Sequence, residues 1–314
     1  MKTFHLSRRG ILLASAGFAA AGLMGTAARA AGPIRIGVGS DPVFVAFYLA
    51  AHEKLFAAEG VDAVLQLYAD GGEAMNALVA QQVDVAAAAE PTNMVRLGRA
   101  ELRPLAVVYQ SGRYVKLVLG PKVASPKDIK RFGIVPGSIS EYCAGLTLAA
   151  EGLDPASVKM VPSGPPELPA LLARGDIDAF FAWEPWPANA VANGGKVALT
   201  SKDVGYVDTI WLTASAAILK SDPEGLQKVL KALAKASDIA RADPERAAAA
   251  VKAITRIPVA TSLKAFKDMT PIVRDFTEAD FKSYDGIATF LADHNVTKGL
   301  VPYREALQAG FYKG

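Results

Sequence analysis

From Pro33 onward, apolar and polar residues follow two alternating rhythms. "IRIGVG" reads as a strand, "VFVAFYLAAHEKLF" as a helix ending near Gly60, "VDAVLQLY" as a second strand and "GEAMNALVAQQ" as a helix. A third strand, "VDVAAA", precedes the helical "NMVRLGRA". The middle of the chain begins again with the strands "YVKLVLG" and "RFGIV", then the helix "SISEYCAGLTLAAEG", "VKMVP", the helix "ELPALLARG" and the strand "DAFFAW". Short strands alternating with helices predict a parallel sheet covered on both faces, here built twice. After "TIWLTAS" the character turns helical. Leu226, Val229, Leu230 and Leu233 fall at the i, i+3, i+4, i+7 spacing of one buried face, behind the start signal Asp222-Pro223-Glu224. "DPERAAAAVKAI" repeats that start, and "PYREALQAGF" closes the chain.

One phrase occurs twice. "DVAAAAEP" runs from Asp84 to Pro91 and "DAFFAWEPW" from Asp178 to Trp186, each behind an apolar helix-like run and each closing the third strand of its half. This internal repeat predicts two doubly wound α/β lobes with a ligand cleft between them and a helical C-terminal third. Two crossings, near residues 110–116 and 205–214, would act as a hinge. The expected boundaries are residues 31–112 with 215–314 for lobe 1 and residues 113–214 for lobe 2.

In open α/β sheets, ligands bind beyond the carboxyl ends of strands, where helix N-termini present unpaired N–H groups. "GSDPVF" follows the first strand, with Ser40 or Asp41 placed to cap a helix and Pro42 at its first position. "DGGEAM" follows the second, and "EPTN", with Thr92 as a cap, follows the third. In the second half "PGSISE" carries a Ser138/Glu141 capping spacing. Asp41, Glu73 and Glu141 stand in first turns, where acids stabilise helices by about 0.3–1 kcal/mol without any ligand. The hydroxyls of Ser40, Thr92, Ser138 and Ser140 can serve both a helix and a solute. Trp183 and Trp186 flank Glu184-Pro185 in a loop, and with Phe44, Tyr48, Tyr114 and Tyr142 they could form the apolar walls common in small-molecule pockets. Phe180 and Phe181 fit the sheet interior better. Arg113, in "SGRY" at the first crossing, suits a bidentate clamp on an oxyanion and equally a solvated hinge.

The N-terminus changes where such a protein would work. Lys2, Arg8 and Arg9 precede the apolar run "GILLASAGFAAAGLMG", and "ARA" at Ala28–Ala30 has the small residues a signal peptidase reads, so residues 1–30 read as a cleaved export signal. "SRRGILL" is similar to the twin-arginine signal, with Gly10 and Ile11 departing from its fullest form. Residues 1–30 hold four of the 34 basic residues and none of the 31 acids, leaving 30 basic against 31 acidic residues. The net charge of +3 therefore belongs to the signal, and the remaining chain has no excess of base with which to hold nucleic acid. Cys143 is the sole cysteine, so no disulfide forms within the chain; a buried structural thiol is the expectation.

"KLFAAEGVDAVL", "ALVAQQVDVAAA", "SPKDIKRFGIVPGS" and "ALLARGDIDAFFAWEPW", in this order behind an export signal, resemble the sulfonate/nitrate/taurine-type and thiamine-pyrimidine-type periplasmic solute-binding proteins of ABC importers. The resemblance implies a type II periplasmic binding protein fold and a monomeric receptor that closes on a small solute and delivers it to a permease in the inner membrane. It points to Ser40, Asp41, Glu90, Thr92, Ser138, Ser140, Trp183 and Glu184 as ligand-binding residues. The implied solute is a small oxyanion of the sulfonate, nitrate or carboxylate class. The strand-end acids Asp41, Asp70, Glu73, Glu90, Glu141 and Glu184 stand against Arg113 alone, which favours a cationic or heteroaromatic nitrogen compound, such as a thiamine pyrimidine precursor, if two or more face the cleft.

Catalysis finds little support. No G-x-S-x-G elbow is present, His52 and His294 are isolated, and "GVGSDP" puts Pro42 where a dinucleotide fingerprint needs glycine. The thiamine-pyrimidine synthase branch of the same superfamily carries a cysteine-rich motif that a chain with one cysteine cannot supply. No metal, cofactor or catalytic residue is therefore expected. A solute-sensing subunit and an exported enzyme remain the other classes.

Overall fold

The computed structural model describes residues 32–314. Residues 1–30, expected to form the export signal with its Arg8-Arg9 pair, lie outside the described residues. Among the described residues no helix is long and apolar enough to cross a membrane.

Eleven strands among the described residues form two sheets. They are β1 (Ile34–Val38), β2 (Ala63–Leu67), β3 (Val85–Ala89), β4 (Leu102–Ser111), β5 (Val115–Leu119), β6 (Arg131–Ile134), β7 (Lys159–Pro162), β8 (Ala179–Trp183), β9 (Lys196–Thr200), β10 (Asp208–Ser215) and β11 (Thr270–Arg274). The first sheet has the order β11-β4-β10-β3-β1-β2 and the second β7-β6-β8-β5-β9.

Both sheets contain the same four-strand unit. In the first, β1 pairs parallel with β2 and β3, and β10 adds antiparallel beside β3. In the second, β6 pairs parallel with β7 and β8, and β5 adds antiparallel beside β8. The sheets are thus mixed, where the strand–helix alternation predicted all-parallel ones. The reversal follows from the crossings, because β5 and β10 each enter a sheet directly from the other and not through a covering helix. Consequently the segment 208–214, expected within the second crossing, lies inside the first sheet as part of β10, paired with β3 and β4. The actual crossings are the short links between Ser111 and Val115 and between Thr200 and Asp208.

The helices explain themselves locally. Helix Val45–His52 is buried over Val45–Ala50 and packs between the first sheet and the C-terminal helices, as an all-apolar helix must. It stops short of Gly60 because Lys54 takes a left-handed conformation, φ 59°. Helix Pro223–Ala242 buries Leu226, Val229, Leu230 and Leu233 as predicted, and Asp222 caps it by accepting the Gly225 N–H. Asp243 does the same for helix Pro244–Thr255 through Arg246. One apolar cluster runs through residues of both sheets, from Ile36 and Leu105 to Leu117 and Phe181. Gly145 is needed where helix Ile139–Glu151 meets helix Glu278–Asp293: a Cβ there would lie 2.2 Å from the Phe290 ring.

Candidate functional site

The carboxyl ends of the parallel strands in both sheets open onto one cavity of about 220 Å³. That volume suits a small solute. The first sheet contributes Asp41, Phe44, the 70–73 turn, Ala89, Thr92 and Arg96; the second contributes Val115, the 135–139 turn and Trp183. Tyr114, at the first crossing, and Tyr109, Asp208 and Ile210, on the neighbouring strands β4 and β10, complete the floor.

Asp41 is placed by the turn it caps. Its Oδ1 accepts the Val43 N–H (3.0 Å) and the Tyr114 hydroxyl (3.0 Å), which also lies 3.1 Å from the Glu184 carbonyl oxygen. One tyrosine therefore ties the first strand-end loop to the loop after β8. Tyr48, expected in an apolar wall, instead sits under this loop, its hydroxyl 2.6 Å from the Gly39 carbonyl and 2.9 Å from that of Asp41. Burial pushes the Asp41 carboxyl up to about 7, against the pull of the Val43 N–H and the Tyr114 hydroxyl. Asp208 is likewise raised to about 7 by burial, although Ser201 Oγ donates to its Oδ1 (3.0 Å). Neither acid has a cationic partner among the described residues. Beside them the Tyr109 hydroxyl, on a residue 2% exposed, lies close enough to Asp208 to offset part of that carboxyl's burial.

The opposite charge comes from Arg96. Its Nε donates to Asn76 Oδ1 (3.0 Å) and its Nη1 to the Thr92 carbonyl (3.0 Å), which fixes the plane of the guanidinium. Nη2 is left beside Gly72, in the first turn of helix Gly71–Val79, whose cap Asp70 accepts the Glu73 N–H (2.9 Å). No carboxylate among the described residues lies within ion-pair distance of Arg96, and burial lowers its pKa. A fork of this kind, close to helix N-terminal amides, can take an anionic oxygen.

Of the residues predicted from the sequence, the structure brings Asp41, Phe44, Thr92, Tyr114, Ser138 and Trp183 into the lining. Seven others are engaged elsewhere. Ser40 stands outside it, its Oγ 3.4 Å from the Ala69 carbonyl. Glu90 is fully buried, accepting the Thr209 N–H, the Thr209 hydroxyl and the Tyr206 hydroxyl, each at 2.7 Å. Arg113, at the first crossing, points to solvent, pairs with Asp268 at 3.1 Å and stands outside the lining. Ser140 Oγ accepts the Val135 N–H (3.1 Å), holding the turn from beneath. Tyr142 packs edge-on against Tyr206 (5.1 Å) and Phe290 (5.2 Å). Glu184 pairs with Lys116 (2.7 Å) and accepts the Ala188 N–H (3.1 Å). Trp186 packs with the apolar cluster of Leu168, Leu172 and Phe180 on the far side of the second sheet. Ser140 apart, whose partner is five residues away, each has a partner that local spacing could not foresee.

Arg96, Tyr109 and Asp208 were missed. Arg96 stands four residues after Thr92 on a helix that opens at a strand end, and that spacing was the available signal. Tyr109 and Asp208 carry none, because they approach one another only through the long-range pairing of β4 with β10. Cys143 is fully buried as expected, and burial raises its thiol well above the usual range.

Residues 32–255 match the model of the NMT1-like family. The chain belongs to the NMT1-like family. Over 132 residues this family member is 30% identical to the taurine-binding periplasmic protein of Escherichia coli (strain K12), a match covering 40% of this chain and 39% of that protein. Over 143 residues it is 29% identical to the nitrate/nitrite binding protein NrtA of Synechococcus elongatus, covering 45% of this chain and 28% of that one. Both matches thus span less than half of the relative's length. The alkanesulfonate-binding protein SsuA from Xanthomonas axonopodis pv. citri, bound to MOPS, superposes with a TM-score of 0.77 at 18% identity, over 88% of this chain and 99% of that one. The NMT1-like chain therefore has the periplasmic binding protein fold.

Proposed function

We propose that this chain is the periplasmic solute-binding receptor of an ABC importer, a monomer that captures a small organic oxyanion of the sulfonate or carboxylate class and delivers it to a permease. The observation that carries this reading is Arg96, held by Asn76 and Thr92 with Nη2 beside the first turn of helix Gly71–Val79, in a cavity lined from both sheets. Trp183, Phe44, Ile139 and Ile210 line the same cavity, so the preferred anion has an apolar part, which nitrate lacks. Each sheet forms the core of one lobe, and the two crossings act as the hinge. A solute touching both lobes favours the closed form in proportion to the contacts made only there. The reading requires no chemistry on the solute, since the lone thiol is sealed in the core.

A thermal-shift screen of the purified protein tests this. A saturating sulfonate or carboxylate is expected to raise Tm by roughly 5 °C, as about 2.7 kcal/mol of binding energy does in a protein of this size. Arg96→Gln should abolish the shift, and Trp183→Ala should weaken affinity about tenfold while leaving the fold intact. If no anion of either class stabilises the protein, or if Arg96→Gln responds like the parent, the anion receptor is the wrong reading. A permease and ATPase encoded beside this chain favour transport; a histidine kinase there favours sensing.

A further inference from the structure

Tyr114 stands where loops from the two sheets meet, and it has one proton to give. Its hydroxyl lies 3.0 Å from Asp41 Oδ1, in the loop after β1, and 3.1 Å from the Glu184 carbonyl oxygen, in the loop after β8. Both are acceptors when Asp41 is ionised, whereas a phenol is a single donor. The join between the sheets is then one proton short. Tyr114 is 1% and Asp41 7% exposed, which leaves little room for bulk water to make up the difference.

Charge points the same way. Among the described residues no cation pairs with Asp41. The groups that face it are Tyr48 from helix Val45–His52, Tyr114 from the first crossing, Tyr109 from β4 and Asp70 from the turn after β2. Helix Val259–Phe266, packed on the Asp41 turn, carries only Lys264, which is exposed to solvent. Beyond Glu184, Lys116 is taken by the carboxylates of Glu184 and Asp268, and Arg113 by Asp268. Arg96 is the one cation in the lining, with Asp70, Glu73 and Asp208 as the other acids. Asp208 differs from Asp41 in drawing its hydroxyl donors, Ser201 and Tyr109, from β4 and the second crossing and not from the opposite loop. Burial pushes the Asp41 carboxyl up to about 7, and Asp70 adds to the rise.

We propose, building on the receptor reading above, that a proton is a second ligand of this site: closure of the lobes on the solute takes up one proton at Asp41. Asp41 Oδ1–H donates to the Tyr114 oxygen, and the Tyr114 proton goes to the Glu184 carbonyl, giving one directed chain from the first sheet to the second. Oδ1 keeps a lone pair for the Val43 N–H. With the lobes apart, water solvates Asp41 and the carboxyl ionises in its ordinary range. Closing on an ionised Asp41 would seal a charge without a counter-ion beside Asp70. An anion on Arg96 adds to that cost, because like charges in one cavity repel. A proton held only in the closed form makes affinity fall as pH rises, by up to about tenfold per unit from the ordinary carboxylate range to about 7, and level off above.

Calorimetric titration of the purified protein with an alkanesulfonate of two to four carbons tests the coupling, since this probe keeps its charge throughout. Affinity should fall at least about tenfold from pH 5 to pH 7.5, and heats at pH 6 in buffers of different ionisation enthalpy should report uptake of about one proton. Asp41→Asn keeps an equally good cap for the turn and has nothing to titrate, so its affinity should be flat over that range. Asp208→Asn, which removes the other raised carboxyl of the cavity, should keep most of the parent's slope. Without solute, small-angle scattering should show a radius of gyration that grows between the same pH values in the parent and stays constant in Asp41→Asn. A parent whose affinity ignores pH, or an Asp41→Asn that keeps the parent's slope, overturns the proton site and leaves the anion receptor standing. A slope flattened by Asp208→Asn in place of Asp41→Asn overturns the assignment to Asp41. If no alkanesulfonate binds, the sulfonate receptor falls and scattering alone decides: an expansion with pH that Asp41→Asn abolishes supports the proton site, and its absence overturns it.

Discussion

Glu90 and Glu184 occupy equivalent places, each directly after the third parallel strand of its sheet and directly before a proline, yet the protein deals with their carboxyls in opposite ways. Glu90 meets only neutral donors, the Thr209 N–H and the hydroxyls of Thr209 and Tyr206, and burial raises it to about 8. Glu184 meets a cation, Lys116, which Asp268 shares at 2.8 Å. Both nonetheless do the same mechanical job. Glu90 fastens the second crossing through Tyr206, and Glu184 fastens the first strand after the first crossing through Lys116. The residue before each one, Ala89 or Trp183, ends its strand and lines the cavity. The repeat therefore preserves topology and lets chemistry diverge. The aromatic of the second copy lines the cavity, while the repeated acids hold the frame.

The largest expected effect separates the two anchors. Glu90→Ala leaves the Tyr206 hydroxyl and the Thr209 N–H buried without an acceptor, which should cost about 3 kcal/mol or more in urea unfolding. Glu184→Ala leaves Lys116 with Asp268, so its cost should be smaller, about 1–2 kcal/mol. Equal losses would mean that the neutral and the ionic anchor are interchangeable, and the contrast drawn between them would dissolve.

A smaller effect sharpens the contrast through pH. An acid whose pKa is raised on folding holds its proton longer in the native state than in the unfolded one. Stability therefore falls as pH rises from the unfolded pKa near 4.5 to the folded value of about 8, and levels off above it. Asp41 and Asp208 add the same sign of change up to about 7. Glu90→Gln keeps a neutral group in place and has nothing to titrate. Between pH 7 and 8 the parent should lose about 1 kcal/mol more than Glu90→Gln, measured as the difference in unfolding free energy at the two pH values. Parallel pH profiles for the two proteins would place the Glu90 proton elsewhere.

Much of this arrangement was legible along the chain, and the rest was hidden for definable reasons. The strand–helix rhythm located the parallel trios, and the Asp-Pro-Glu starts located the C-terminal helices, because both are signals within a dozen residues. Asp41 was legible because a cap next to a strand end is local. Glu90 and Glu184 were legible as a pair and expected as ligand contacts; that they stand outside the lining could not be read along the chain, since their partners Thr209, Tyr206 and Lys116 lie 68 to 119 residues away. The antiparallel strand in each sheet was hidden by the same cause: β5 and β10 read as ordinary strands, and only the chain's passage between sheets reverses them. Arg96 was overlooked in favour of Arg113 because a basic residue in "NMVRLGRA" looks like solvated helix surface, whereas one in a crossing looks purposeful.

Arg113 supplies the smallest effect. It pairs with Asp268 through a side chain that is 67% exposed, and Asp268 already has the better shielded Lys116 at 2.8 Å. An exposed pair of this kind contributes roughly 0–1 kcal/mol, and removing Arg113 leaves no buried charge without a partner. Arg113→Ala should therefore shift unfolding by under about 0.5 kcal/mol and leave solute affinity unchanged by calorimetry. The same substitution at a clamp would remove at least tenfold in affinity, so the two assignments are far apart in a single measurement. Any such loss would move the anion end of the cavity from Arg96 toward the crossing, and with it Glu184, whose cation Lys116 shares Asp268 with Arg113, would join the binding surface instead of the frame.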